Sequence, residues 1–214
     1  MKEIAIFVEG GGDSTALKAD LRTGFDQLLS EQKNNARAKR LGWKLSCCGG
    51  RDATCDQFLN AVKVAPQGKL CVLLVDSEEA TPEVTADDTN SAQSKAHLTR
   101  RDGWNLSSIP AEQIHLMVQC MEAWIVADPD ALAAFYGKDF RAKKLPARAN
   151  LESEPKLELC DKLVAATRDT QKQQYHKTQH GPKLLRLIAP DKVKVRCPHF
   201  KVLTDWLDAK IASA

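Results

Sequence analysis

The segment Lys69–Glu79, KLCVLLVDSEE, constrains the fold more than any other stretch. An apolar run, Leu70–Val75, stops abruptly at Asp76, Glu78 and Glu79. It is short, holds β-branched residues and has no polar alternation. That pattern predicts a strand buried on both faces, as in the centre of a parallel sheet. In open α/β sheets, sites form at the carboxyl ends of strands, which is where these acids fall. Asp76 and Glu78 are two apart, so in extended chain their side chains point the same way. Two carboxylates on one face repel unless a cation sits between them, and a hard divalent metal takes oxygen donors of this kind. A solvated strand end capped by acids before a turn accounts equally well for this pair taken alone.

A second strand ends in the same manner. Ile4–Val8, IAIFV, stops at Glu9, and Gly10, Gly11, Gly12 and Asp13 follow. The glycines permit a tight turn and a close backbone approach to a ligand. Asp13 or Ser14 can cap a helix from Thr15 to about Glu31, with Leu17, Leu21, Phe25, Leu28 and Leu29 on one stripe. Lys33–Lys39 reads as a basic loop or frayed helix. Trp43–Cys48 is a further strand, ended by Gly49 and Gly50, and Asp52 or Thr54 can cap a helix of about Cys55–Val64. The alternation of strands and helices up to Asp76 argues for a parallel, right-handed α/β unit.

Beyond Asp76, Glu79 to about Asn90 reads as a loop and Ala92–Arg100 as a short helix. Ile114–Val118 is a fourth strand, running into a helix that ends near Ala127. Asp128 caps a further helix with Pro129 at its first position. From Gly137 the chain turns helical and basic, with helices over Lys156–Arg168, within Tyr175–Ile188 from Pro182, and over Pro198–Ile211. The expected organisation is an α/β part at 1–135 and a helical carboxy-terminal extension at 136–214.

Hydrophobic content of 43% and charged content of 28% are ordinary for a soluble globular protein. A net charge of +3 is too small to mark a nucleic-acid binder by itself. Its distribution is uneven. Acids gather at Asp76–Asp88 and bases at Lys33–Lys44, Lys138–Arg148 and Lys172–Arg196. An acidic centre with basic flanks suits a metal site facing a phosphate polymer, and it also suits a solvated surface. The seven cysteines are scattered and include no CxxC pair, which argues against a structural zinc site. With no leader-like or membrane-spanning stretch, reduced cysteines point to a cytoplasmic protein without membrane contact.

The candidate site gathers Glu9 from one strand end with Asp76 and Glu78 from another. Three such carboxylates would bind Mg²⁺ or Mn²⁺, and Glu122, after the fourth strand, could add a ligand. Asp13 and Asp128 are explained by helix capping. The glycine turn is neither GxGxxG nor a P-loop, and no GxSxG occurs, which leaves access to Glu9 as its purpose. Arg51, after Gly49 and Gly50, could reach a phosphate or pair with one of the acids. Lys177, His180 and Lys183 are three apart and could share a helix face. A charged lysine beside a scissile phosphate would stabilise developing charge, although a solvated basic helix face explains the same three residues more plainly. His115, Trp124 and Phe135 read as core.

VEGGGD followed by LLVDSEE resembles the Glu-Gly and DxD pattern of the toprim fold, with Glu78 in place of the second Asp. CGGR at Cys48–Arg51, RDGW at Arg101–Trp104, HLMVQCMEAW at His115–Trp124 and the Tyr175, Lys177, His180 stretch resemble an uncharacterised bacterial toprim-like family. So do AD at Ala127–Asp128, LP at Leu145–Pro146 and ATR at Ala166–Arg168. The resemblance implies a Rossmann-like sheet with Glu9, Asp76 and Glu78 as metal ligands and Glu122 as an extra acid. It implies a Mg²⁺- or Mn²⁺-dependent nuclease acting on DNA or RNA, akin to the toprim nucleases of the overcoming-lysogenization-defect (OLD) family. It also implies a separately encoded AAA- or SMC-like ATPase as partner, in an anti-phage defence system. The catalytic set expected is Glu9, Asp76, Glu78, Glu122 and Lys177, with Arg51, His180 and Lys183 binding substrate. The only tyrosines, Tyr136 and Tyr175, are remote in sequence from the acids, which weakens a covalent tyrosine mechanism. Two other readings stay open: a non-cleaving regulatory subunit that docks on an ATPase, and a metal-dependent phosphatase with a small substrate.

Overall fold

A computed structural model describes residues 1–65, 67–82 and 91–214. Residues 83–90, which hold most of the expected loop after Glu79, lie outside the described residues. Among the described residues, four strands form one wholly parallel sheet: β1 (Glu3–Val8), β2 (Gly42–Cys47), β3 (Lys69–Asp76) and β4 (Ile114–Met117). Their order is β2-β1-β3-β4, so β1 and β3 are the two central strands. The register sets Val8 opposite Leu74 and Asp76 opposite Met117. The ends of β1 and β3 are therefore neighbours. Ile4–Val8 and Cys71–Asp76 are buried throughout, as an uninterrupted apolar pattern requires of strands covered on both faces. The chain is thus an α/β protein with a Rossmann-like sheet flanked by helices.

The helices are α1 (Thr15–Leu28), α2 (Ser30–Ala38), α3 (Arg51–Lys63), α4 (Ser91–Asp102), α5 (Glu122–Val126), α6 (Pro129–Tyr136), α7 (Lys156–Thr167), α8 (Lys177–Leu185), α9 (Pro190–Arg196) and α10 (Pro198–Ala212). Ser14 caps α1, accepting from the Leu17 N–H at 3.5 Å, and Asp128 caps α6 with Pro129 following.

Three local expectations need correction. Of the two readings of Lys33–Lys39, a loop or a frayed helix, the loop is not seen: residues up to Ala38 belong to α2, where Gln32 donates to Asp208 of α10 at 3.0 Å and Ala36 is buried. Tertiary packing overrides the weak local pattern there. Helix α3 begins at Arg51 with Gly50 as its cap, so neither Asp52 nor Thr54 caps it. Helix α8 begins at Lys177, five residues before Pro182, which sits inside it.

Two cores flank the sheet. One packs α3, α4 and the Trp104–Ile109 segment against Phe7, Leu73 and Val75. The larger lies on the other face, where α1, α5, α8 and α10 meet Ile4, Ile6, Val72 and Leu74. Trp124 is fully buried there between Phe25 of α1 and Phe200 of α10, with ring centroids 6.1 and 4.7 Å away. The carboxy-terminal helices share this core with the sheet. Among the described residues, no helix is long and apolar enough to cross a membrane.

Candidate active site

The site is built at the carboxyl ends of β1 and β3. The Glu9 N–H donates to the Leu74 carbonyl at 3.1 Å, which carries the β1–β3 pairing one residue past the strand. The chain then turns through Gly10, Gly11 and Gly12 at φ of 123°, 85° and 55°, in the left-handed region that glycine alone enters without penalty. A Cβ on Gly11 would lie 2.8 Å from Lys18 Cα, so the turn packs directly on α1. Gly10 and Gly49 exchange backbone hydrogen bonds at 2.8 and 3.0 Å, tying this turn to the one after β2. A pocket opens beside it, lined by Glu9, Gly10–Gly12, Asp76, Met121 and Lys177.

Asp76 is 3% exposed. Its Oδ1 accepts the Met121 N–H at 2.9 Å, and its Oδ2 faces Lys177 Nζ at 3.4 Å. Burial is the dominant influence and lifts its pKa from 3.8 to about 7; Lys177 lowers it, while Glu122 and Glu9 add to the rise. Burial also raises Glu9, against the pull of Arg51. Lys177 Nζ is 3.7 Å from Glu122 Oε2 as well, so its ammonium bridges two buried carboxylates. Burial opposes that charge, but Asp76 and Glu122 outweigh it and hold the lysine above its ordinary pKa. The Lys177 side chain stays half exposed, with its head toward the acids.

Arg51 is an organising group. Its Nε and Nη2 grip both oxygens of Asp102 at 2.7 Å each. Its Nη1 donates to Glu9 at 3.1 Å and to the Asp76 carbonyl. The guanidinium also stacks 5.1 Å from the Trp104 ring centroid. Of the two roles open to it in the sequence, pairing with an acid is the one seen.

Glu78 departs from the extended geometry expected of it. The strand ends at Asp76, and Glu78 has φ of 67°, so the rule that alternate residues share a face stops applying. Lys156 holds both Glu78 oxygens, at 2.6 and 2.7 Å. Burial pushes Glu78 up, but Lys156 outweighs it and leaves the carboxyl below its ordinary pKa. Gln119 sets this contact in place: it accepts from the Lys156 N–H at 3.1 Å and donates to the Glu152 carbonyl at 3.3 Å. The start of α7 is thereby fixed beside the end of β4.

The expected shared face of α8 divides. A step of three residues falls about 60° short of a full helical turn, so the face drifts along the helix. Lys177 faces the acids, whereas His180 is buried, 3.0 Å from the Tyr136 hydroxyl, and Lys183 is exposed. Neither His180 nor Lys183 lines the pocket. His115 is a satisfied core histidine, 3.1 Å from the Glu112 carbonyl, and burial lowers its pKa to about 4.

The donor set can be tested against a hard cation. Mg²⁺ is commonly held by one or two carboxylates, with water and substrate phosphate completing its shell. Glu9 and Asp76 line one pocket and meet that requirement. The carboxylates of Glu9, Asp76 and Glu78 do not converge as a trio, because Arg51 and Lys156 hold the two glutamates. Among the described residues, the set whose ligand atoms all lie within 4.8 Å of one another is Cys120, Glu122 and Cys160.

The profile of a family described as "Domain of unknown function (DUF4276)" matches residues 8–208. The chain belongs to the DUF4276 family. No curated protein and no solved structure matches it. The span shared with DUF4276 includes Glu9, Asp76, Glu78, Glu122 and Lys177, and every helix from α1 to α9.

Several residues of this DUF4276 site escaped the sequence reading. Lys156 opens a helix that looks merely amphipathic in sequence. Asp102 lies in the RDGW stretch but carries no chemical signature by itself. Tyr175 donates to Glu122 Oε1 at 3.0 Å although they lie 53 positions apart in the chain. Its neighbour Lys177 was the available signal, since a segment that places one group at the acids carries its flanks with it.

Proposed function

We propose that this chain is a divalent-cation-dependent nuclease that hydrolyses phosphodiester bonds of DNA or RNA, in the manner of toprim enzymes. The observation that carries the reading is the pocket where Glu9 and Asp76, from adjacent central strands, meet a glycine-only turn and the Lys177 ammonium. Glu9 and Asp76 would hold Mg²⁺ or Mn²⁺. Such an ion polarises a phosphoryl oxygen and makes bound water a better nucleophile.

The remaining work falls to the chain's own residues. The open turn at Gly10–Gly12 admits a phosphate beside Glu9 without meeting a Cβ. Lys177 keeps its proton under the influence of two carboxylates and presents a fixed positive charge to a phosphorane-like transition state. Arg51 orients Glu9 and, being committed to Asp102, serves position before substrate contact. Tyr175 and Lys177 together hold Glu122, which acts on Lys177 without lining the pocket. Lys156 keeps Glu78 paired and charged, and its release would give the site a third carboxylate. Such an enzyme would work in the cytoplasm, on the nucleic acid of the cell or of an invading phage. A nucleic acid is the substrate, and a separately encoded AAA- or SMC-like ATPase in an anti-phage system would supply the nucleotide-driven control that this chain's motifs do not.

The test is cleavage of plasmid, linear DNA and tRNA by the purified chain with Mg²⁺ or Mn²⁺, with and without the ATPase, beside Asp76→Asn. Metal-dependent cutting that disappears in Asp76→Asn is the expected result. Cation binding without cleavage of any substrate would instead favour a regulatory subunit.

A further inference from the structure

We propose that Cys120, Glu122 and Cys160 form a binding site for a soft divalent cation of the zinc class. The inference goes beyond the cleavage reading and stands whether or not the chain cuts nucleic acid.

Cys120 lies in the turn before α5, Glu122 opens α5, and Cys160 sits within α7. Their ligand atoms all fall within 4.8 Å of one another. Around a tetrahedral zinc with Zn–S of about 2.3 Å, two sulfurs sit roughly 3.8 Å apart. The two sulfurs therefore need to close by an ångström or less. Two thiolates and one carboxylate suit a borderline-soft ion and are a poor match for Mg²⁺, which wants oxygen donors alone. The site is thus distinct in chemistry from the Glu9–Asp76 pocket.

The second observation is the state of Glu122. It is 2% exposed, and its Oε2 accepts no hydrogen bond. Tyr175 occupies Oε1, which fixes the carboxylate as a supporting group fixes a metal ligand. The nearest cation to Oε2, Lys177, stands at 3.7 Å, beyond hydrogen-bond distance. Lys177 thus offsets the charge of Oε2 but gives it no hydrogen bond; a buried acceptor in that state is costly, and an ion shared with the two sulfurs would satisfy it. Cys120 is fully buried and Cys160 half-buried, which leaves the site an approach from the α7 side. The 39 residues between the two cysteines explain why no short-spaced cysteine motif announces the site. Three protein ligands leave a fourth position for water or an exogenous group. An ion drawing Glu122 toward the sulfurs would leave Lys177 to Asp76 alone, so occupancy couples to the acidic pocket.

The experiment is Co²⁺ titration of the reduced full chain, followed by absorbance. We expect one equivalent to give a thiolate-to-cobalt charge-transfer band in the near ultraviolet together with intense tetrahedral bands in the visible. Cys160→Ser should remove the charge-transfer band or cut it severalfold, while Cys47→Ser leaves it intact. Cadmium-113 NMR of the unmodified chain supplies a readout that needs no variant, with a resonance in the sulfur-ligated range expected. Weak octahedral cobalt bands without charge transfer, an oxygen-only cadmium shift, or a band indifferent to Cys160→Ser would each overturn the proposal.

Discussion

The burial of Asp76 makes a quantitative prediction about Asp76→Asn. Asparagine keeps the shape and can still accept the Met121 N–H that Oδ1 takes at 2.9 Å, so the variant mimics the protonated acid. Raising the carboxyl from 3.8 to about 7 on folding corresponds to ~4 kcal/mol, at 1.36 kcal/mol for each tenfold change in proton affinity. The sign follows from linkage. The folded state binds the proton more tightly, so the wild type loses stability as the pH rises from about 4 to about 7 and is level above that. The asparagine variant escapes this loss. Its advantage over wild type should be near zero at pH 4 and grow to ~4 kcal/mol at pH 8, or on the order of 10 °C in Tm for a chain of this length. Thermal melts of both proteins from pH 4 to pH 8, without added metal, provide the assay. Millimolar Mg²⁺ should then raise the wild-type Tm at pH 8, less at pH 6, and leave the variant unmoved. A Tm difference independent of pH would refute the reasoning, because it would show that Asp76 ionises in the fold as readily as in water.

Two other outcomes test the neighbouring contacts. Lys156→Met should cost about 1 kcal/mol at pH 7, since the Lys156–Glu78 pair is only partly buried. Glu78 is held below 4.5 in the fold, so that cost is present above this value and fades as the pH falls through the folded pKa. The freed Glu78 should also enlarge the Mg²⁺-induced rise in Tm, and an unchanged rise would count against Glu78 as a latent ligand. Phe200→Ala empties a fully buried position against Trp124 and should cost ~3–5 kcal/mol. Because the carboxy-terminal helices share the core of the sheet, denaturant should still unfold the variant in one transition; two separate transitions would show the extension to be independent.

The strands were legible because burial on both faces leaves an unmistakable pattern. Leu70–Val75 and Ile4–Val8 have no polar alternation, and only a covered parallel sheet tolerates that. The acids at their ends, with glycines after one of them, located the pocket, since a parallel α/β sheet exposes its sites at strand termini. The sequence also marked Lys177 and Arg51 as groups with chemistry. What it left open was the direction of each side chain and the choice of partner. Glu78 takes a left-handed backbone at the strand end and pairs with Lys156, 78 residues away; no periodicity argument reaches across that separation. Arg51 spends its donors on Asp102, Glu9 and a carbonyl because it opens α3, directly after the Gly50 cap, which turns the guanidinium inward. His180 falls to the core because helical drift rotates it away from Lys177. Cys120 and Cys160 meet only because α5 packs against α7. Local pattern and composition are set residue by residue along the chain, and they determined the layers of this protein. The partners of its charges and thiols depend on packing between distant segments, and only the tertiary structure decided them.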